Sequence, residues 1–195
     1  MRRSRFPLSF LLAVAVVSCG TSNTEQLEAN KNLARQFVAA LNAADWDALD
    51  ALLAEDFRRH SQATSEMPEL DSREEFKGLQ QMYLESFPDQ RVTIEMLVAE
   101  GDKVAGLATY AGTNTGPLGN FAATGKSAEL RFLSIFRIQD GRIAELWVEW
   151  DNLAMLTQLG LFPPPELAAD RLEGADIQAR IDQRGRVGIS GSPQP

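Results

Sequence analysis

Histidine and cysteine are almost missing from this chain: His60 and Cys19 are the only ones in 195 residues. A metal centre built from several imidazoles or thiolates is therefore excluded, and so is a disulfide within one chain. With Cys19 at the extreme N-terminal side, a Cys–His nucleophilic pair is excluded too. A serine triad has only His60 to draw on, and no nucleophile-elbow motif surrounds any serine. Positive charge is also scarce, with 19 Lys and Arg against 27 Asp and Glu and a formal net charge of −8. No basic patch with interleaved aromatics occurs, which argues against nucleic acid as a partner. Glycines gather in residues 112–125, GTNTGPLGNFAATG, but without the spacing or the Lys-Ser/Thr ending of a phosphate loop. What remains is carboxylate acid–base chemistry that needs no metal and no cofactor, with His60 either a partner in it or a surface residue.

Long apolar runs are equally rare, and the one present is N-terminal. Arg2, Arg3 and Arg5 form a basic head, and residues 6–17 form an apolar run too short for a usual membrane span. The run ends in Val16-Val17-Ser18-Cys19, which matches the bacterial lipoprotein box. The expectation is a signal peptide over residues 1–18, cleavage before Cys19, and lipid on its sulfur. The protein is then exported and anchored to the bacterial cell envelope through Cys19, with residues 19–30 as a polar tether. The alternative is an ordinary secretion signal beside a free thiol. No second apolar run of membrane length follows, so the mature chain reads as a soluble acidic domain held by lipid. The length suits one domain, over residues 31–162. Pro163, Pro164 and Pro165 close it. Residues 163–195 form a Pro-rich tail with room for a short helix over 166–182, and the Gly, Ser and Pro of 183–195 predict disorder.

Between these ends the periodicity changes once. Leu33, Phe37, Val38 and Leu41 share a helical face, and Asp45 caps a second helix carrying Trp46, Leu49 and Leu52. Ser72 and Glu75 make a capping box ahead of Phe76, Leu79, Tyr83 and Phe87. From Val92 onward the period is two, with hairpin turns at Gly101-Asp102 and Asp140-Gly141. Helices are predicted over 27–42, 46–54, 72–87 and 152–159, and strands over 91–99, 103–111, 128–139 and 142–150. Helices first, then antiparallel strands, then a closing helix is an α+β order, a curved sheet wrapped over helices.

The stretch 141–160, GRIAELWVEWDNLAMLTQLG, holds the most specific chemistry. An aromatic-rich strand with Trp147 and Trp150 passes into a helix at Asp151. Asp151 has two compatible readings. It is a favoured helix N-cap. It is also an acid beside large apolar rings, whose pKa burial would raise into a useful range.

Several short motifs occur in a fixed order: Phe87-Pro88-Asp89, Glu100-Gly101-Asp102-Lys103-Val104, Gly112-Thr113-Asn114-Thr115-Gly116, Thr124-Gly125-Lys126, Asp140-Gly141-Arg142-Ile143, Trp147, Asp151 and Gln158-Leu159-Gly160. As a set over about residues 30 to 162 they resemble the SnoaL-like polyketide cyclases, or ester cyclases, of the nuclear transport factor 2-like superfamily. The resemblance implies a cone-shaped α+β fold with a deep pocket and a small apolar carbonyl substrate. It implies cofactor-free proton abstraction and aldol closure, with Asp151 as catalytic acid/base and His60 beside the same pocket. Trp150, Trp147, Leu146 and Asn114 are then pocket residues. Asn114 and Leu146 stand where members often carry histidines. The superfamily commonly dimerises through the open face of its sheet, so a homodimer is among the expected partners. A non-catalytic lipoprotein that holds an apolar ligand in the same pocket is the alternative to an enzyme.

Overall fold

The computed structural model describes residues 18–62 and 69–162. Most of the expected signal peptide and the whole tail from 163 lie outside the described residues. The elements in order are α1 (Ser18–Ala43), α2 (Trp46–Leu52), β1 (Leu53–His60), β2 (Glu69–Leu70), α3 (Arg73–Ser86), β3 (Arg91–Glu100), β4 (Lys103–Thr113), β5 (Ser127–Gln139), β6 (Arg142–Trp150) and α4 (Asn152–Leu159). The six strands form one sheet in the order β2-β1-β6-β5-β4-β3. It is curved and unclosed, with the N-terminal helices packed in its concave side, which is the α+β cone the sequence leads one to expect.

The hairpins follow from local chemistry. Asp140 and Gly141 sit at φ 51° and 73°, the two positive values a tight turn needs to match strand twist. β5 and β6 then pair antiparallel from Gln139↔Arg142 to Phe132↔Trp150. Register shifts leave an extra residue at Glu95 of β3 and at Ala144 of β6, and such bulges bend their strands and help curl the sheet into a cone. Phe76 of α3 joins the layers. Its ring lies 5.3 Å from Phe57 of β1 and 5.7 Å from Phe37 of α1, which in turn meets Phe136 of β5 at 5.5 Å.

Two features differ from the sequence reading. The stretch 19–30, expected as a tether, is helical within α1. Its polar composition conceals a docking contact: Asn30 is buried and its Nδ2 donates to Gly101 O at 3.1 Å, while Gln26 Nε2 donates to Asn30 Oδ1 at 3.0 Å. The helix predicted over 46–54 stops at Leu52, and Leu53 opens β1. That strand pairs in parallel with β6, through Arg59↔Leu146 and His60↔Trp147, so the sheet is not wholly antiparallel. A parallel neighbour needs a long crossover, which α3 and β3 to β5 supply. Near the end of α1, Asn42 clamps β3: its Nδ2 donates to Val92 O and its Oδ1 accepts from Val92 N, both at 2.8 Å.

Candidate functional site

Strand alternation sorts the side chains of the sheet into a concave and a convex face. On β6, Leu146, Val148 and Trp150 turn inward, and Glu145, Trp147 and Glu149 turn outward. On β1, Phe57 and Arg59 turn inward, and His60 outward. The inward set and the helices line a cavity with about 90 Å³ of room for the centres of water-sized molecules. Its wall is mainly apolar: Phe37, Leu41, Phe76, Val92, Ile94, Leu97, Phe132, Phe136, Leu146 and Val148. Gly106 of β4 also belongs to it, and a Cβ there would meet Ser134 Oγ at 3.0 Å and Leu97 Cδ2 at 3.2 Å.

A few polar groups interrupt this wall: Arg59, Tyr83, Tyr110, Trp150, Ser134 and the amides of Asn42, Gln80 and Gln90. Trp150 sits among rings, 5.5 Å from Tyr83, 5.7 Å from Tyr110 and 6.0 Å from Phe132, all edge-on. The hydroxyl of Tyr110 and the indole Nε1 of Trp150 are buried without a hydrogen-bond partner. A buried donor left unmade costs roughly 1–3 kcal/mol, so such groups at a cavity wall mark where an acceptor belongs. Burial holds both tyrosine hydroxyls protonated well above the ordinary phenol range. Arg59 is only 2% exposed. Burial pulls its pKa down, and the neighbouring Tyr83 and Glu149 push it back up.

The residues singled out from sequence divide across this geometry. Leu146 and Trp150 line the cavity. Asp151 does not: it is exposed at the head of α4, where its Oδ1 accepts from Ala154 N at 2.9 Å. Of its two sequence readings, the cap is the one this geometry displays. One residue of travel past Trp150 takes the carboxylate off the inward face. His60 and Trp147 pair with each other on the convex face, rings 5.1 Å apart and nearly parallel. There His60 lies between two carboxylates, Nδ1 at 3.7 Å from Glu69 and Nε2 at 3.9 Å from Glu145, and Glu145 is held at 2.8 Å by Arg137. Asn114, expected in the pocket, is instead the hub of the 112–125 loop. Fully buried, it donates from Nδ2 to Gly116 O (2.8 Å) and Ser86 O (3.3 Å), and accepts at Oδ1 from Thr124 N (2.8 Å) and Thr124 Oγ1 (3.0 Å). Its amide thus does structural work that a histidine would do differently.

Arg59, Tyr83 and Tyr110 went unnoticed as site residues. A signal existed for the first: Phe57, Arg59 and Ser61 alternate, which puts a cation on the face of a core phenylalanine. It was obscured because β1 is short and sits directly behind a helix.

A family model described as SnoaL-like polyketide cyclase matches residues 31–159. Among solved structures, wild-type IdmH from Streptomyces antibioticus, an assigned polyketide cyclase, is 32% identical, covers 68% of this chain and 99% of its own, and superposes with a TM-score of 0.60. AclR from Streptomyces galilaeus, an assigned hydroxylase, is 26% identical over 70% of this chain and 99% of its own, with a TM-score of 0.62. An LEH-like epoxide hydrolase of M. tuberculosis shares the fold alone, at 19% identity, 69% and 91% coverage and a TM-score of 0.56. No match was found among curated proteins.

Proposed function

Since the chain belongs to the SnoaL-like polyketide cyclase family, we propose that its cavity takes up a small apolar carbonyl or carboxyl compound, and that the protein holds this ligand. The observation that carries this reading is the make-up of the wall: mainly apolar, interrupted by a few hydrogen-bonding groups and, among the described residues, without Asp, Glu or His. A pocket of that kind binds an oxygen-bearing apolar molecule well and offers no group to remove its proton. Native mass spectrometry of protein purified without denaturation tests it. A stoichiometric apolar adduct is expected, and a protein that neither retains nor re-binds any such compound contradicts the reading.

A second reading, cofactor-independent proton abstraction beside a carbonyl with Asp151 as base and His60 assisting, is favoured by the family itself and by the position of Asp151 next to the cavity residue Trp150. It requires the carboxylate to leave Ala154 N and turn inward. Asp151→Asn separates the two. Asparagine caps a helix about as well as aspartate, so stability should hold within about 0.5 kcal/mol on either reading. On the binding reading ligand affinity is unchanged. A loss of turnover of about 100-fold or more would establish the catalytic one.

The lipid anchor is part of the same proposal. Cys19 is the second residue of α1, so acylation there would tie the first turn of the helix to the membrane. Cys19→Ser is expected to leave the precursor uncut or to move the protein out of the membrane fraction, and unchanged processing and partitioning would contradict it.

The convex face supports a homodimer. Met96 and Val98 of β3 and Leu133 and Ile135 of β5 are 54%, 56%, 62% and 42% exposed on either side of β4, with Ile135 paired to Trp147. An apolar patch of this kind on a soluble domain is an interaction surface. Leu133→Arg should convert a dimer into a folded monomer in analytical ultracentrifugation. A parent that already sediments as a monomer at high concentration would contradict this.

A further inference from the structure

The cavity's polar groups include the amides of Asn42, Gln80 and Gln90 and the hydroxyl of Ser134, but the lining atoms buried without a partner are an O–H and an N–H. Tyr110 Oη and Trp150 Nε1 are donors with nothing to donate to. Among the described lining residues Arg59 is the only charged one, and it is positive. Trp150 joins the two tyrosines: its ring meets Tyr83 at 5.5 Å and Tyr110 at 5.7 Å, both edge-on. Of the other polar lining groups, the amide of Asn42 is spent on Val92. A cation and two unmet donors in an apolar chamber repel a positive ligand and leave a neutral hydrocarbon with unmet hydrogen bonds. They suit a negative oxygen.

We propose that the cavity selects its ligand by one anionic oxygen group, a carboxylate or an enolate, received by Tyr110 Oη and Trp150 Nε1 and charge-balanced by Arg59, while the apolar wall holds the rest of the molecule. This rests on the reading that the cavity binds a small ligand. It narrows the substrate class from apolar carbonyl compounds in general to acids and readily ionised β-dicarbonyls. No bond is made or broken in this step. The ligand's oxygen exchanges water for two protein donors, and the two donors gain the acceptor they lack.

The test uses four probes and two variants. 2-Naphthoate, 2-acetylnaphthalene and 2-methylnaphthalene share a body and differ in having a charged acceptor, a neutral acceptor and none. 1-Phenyl-1,3-butanedione reports an enolate through its absorbance. Affinities are read by titration calorimetry on the full mature chain. 2-Naphthoate is expected to bind at least about 10-fold tighter than 2-methylnaphthalene, with the ketone between. Tyr110→Phe and Trp150→Phe should each weaken 2-naphthoate by about 5-fold and leave 2-methylnaphthalene within about 2-fold. Tyr110→Phe keeps the ring contacts with Phe87 and Trp150 and loses only an unpaired hydroxyl, so its fold should be retained. If the dione ionises at lower pH when bound, and does so less in Tyr110→Phe, the enolate is the favoured source. If only naphthoate discriminates, the carboxylate is. Equal affinities for the three naphthalenes, or variants that weaken all of them alike, overturn the proposal while leaving a ligand-binding cavity intact. Failure of every probe to bind overturns both.

Discussion

Gly116→Ala is expected to destabilise the domain by about 3 kcal/mol or more, enough to unfold a marginal protein at growth temperature. The reason is the seat of the 112–125 loop on the end of α3. Thr115 N and Gly116 N both donate to Ser86 O, at 3.1 and 3.2 Å, and Asn114 Nδ2 donates to the same oxygen at 3.3 Å. This close approach leaves no room for a side chain. A Cβ on Gly116 would lie 2.1 Å from Glu85 O, 2.9 Å from Glu85 C and 3.2 Å from Ser86 Cα. Those are backbone atoms, so no rotamer change relieves the clash. Either the loop lifts, and the hydrogen bonds around Asn114 go with it, or the end of α3 moves and carries Tyr83 and Phe87 out of place. Gly119→Ala is the control. It has a positive φ of 56° but nothing within 4 Å, so its cost should be near 1 kcal/mol. Urea denaturation of the two variants checks the difference, and equal midpoints would mean that the loop does not rest on the helix as described.

Arg59→Met is expected to lower the affinity for an anionic probe by about 100-fold and to leave that for a neutral apolar probe nearly unchanged. Methionine keeps much of the apolar stem and removes only the guanidinium. Removing one partner of a buried charge pair destabilises, but Glu149, the acid beside Arg59, is exposed and takes up water in its place. Loss of fold is therefore not the expected route to lost binding. What is lost is a charge-assisted contact in a dry cavity, worth about 1.5–3 kcal/mol, and 100-fold corresponds to about 2.7 kcal/mol. Calorimetric titration with 2-naphthoate and 2-methylnaphthalene, beside a melting curve, is the measurement. If both probes weaken together, Arg59 acts on the shape of the cavity and not on charge.

The helices, hairpins and cone were legible because they rest on local signals. The helix caps at Asp45 and Ser72, the Asp140-Gly141 turn and the long period-two runs of β3 to β6 each announce themselves within a few residues. β1 did not, because its eight residues follow a helix without a turn signal and its partner β6 lies far away in sequence. That omission propagated into the site. Without β1 as a strand, Arg59 has no face, and His60 was placed by resemblance beside the pocket when the alternation of β1 turns it to the convex side. Asp151 illustrates a different limit. Its sequence position at a strand-to-helix junction is equally that of a cap and of a pocket acid, and only the direction of one side chain separates them. Tyr110 falls within the strand predicted over 103–111, and it is buried there. That its hydroxyl lacks a partner is a fact about three-dimensional neighbours, with no trace in the sequence.

The most direct test of the ligand cavity is the set of three indole N–H signals from Trp46, Trp147 and Trp150 in a nitrogen-15-labelled sample titrated with 2-naphthoate. Trp150 faces the cavity with an unpaired Nε1, whereas Trp147 is stacked on His60 on the opposite face of the same strand. The expected result is a saturable shift of the Trp150 signal to lower field, as its donor gains an acceptor, with Trp147 unmoved. A shift of Trp147 in place of Trp150, or no saturable shift of either, would contradict a ligand site inside the cone.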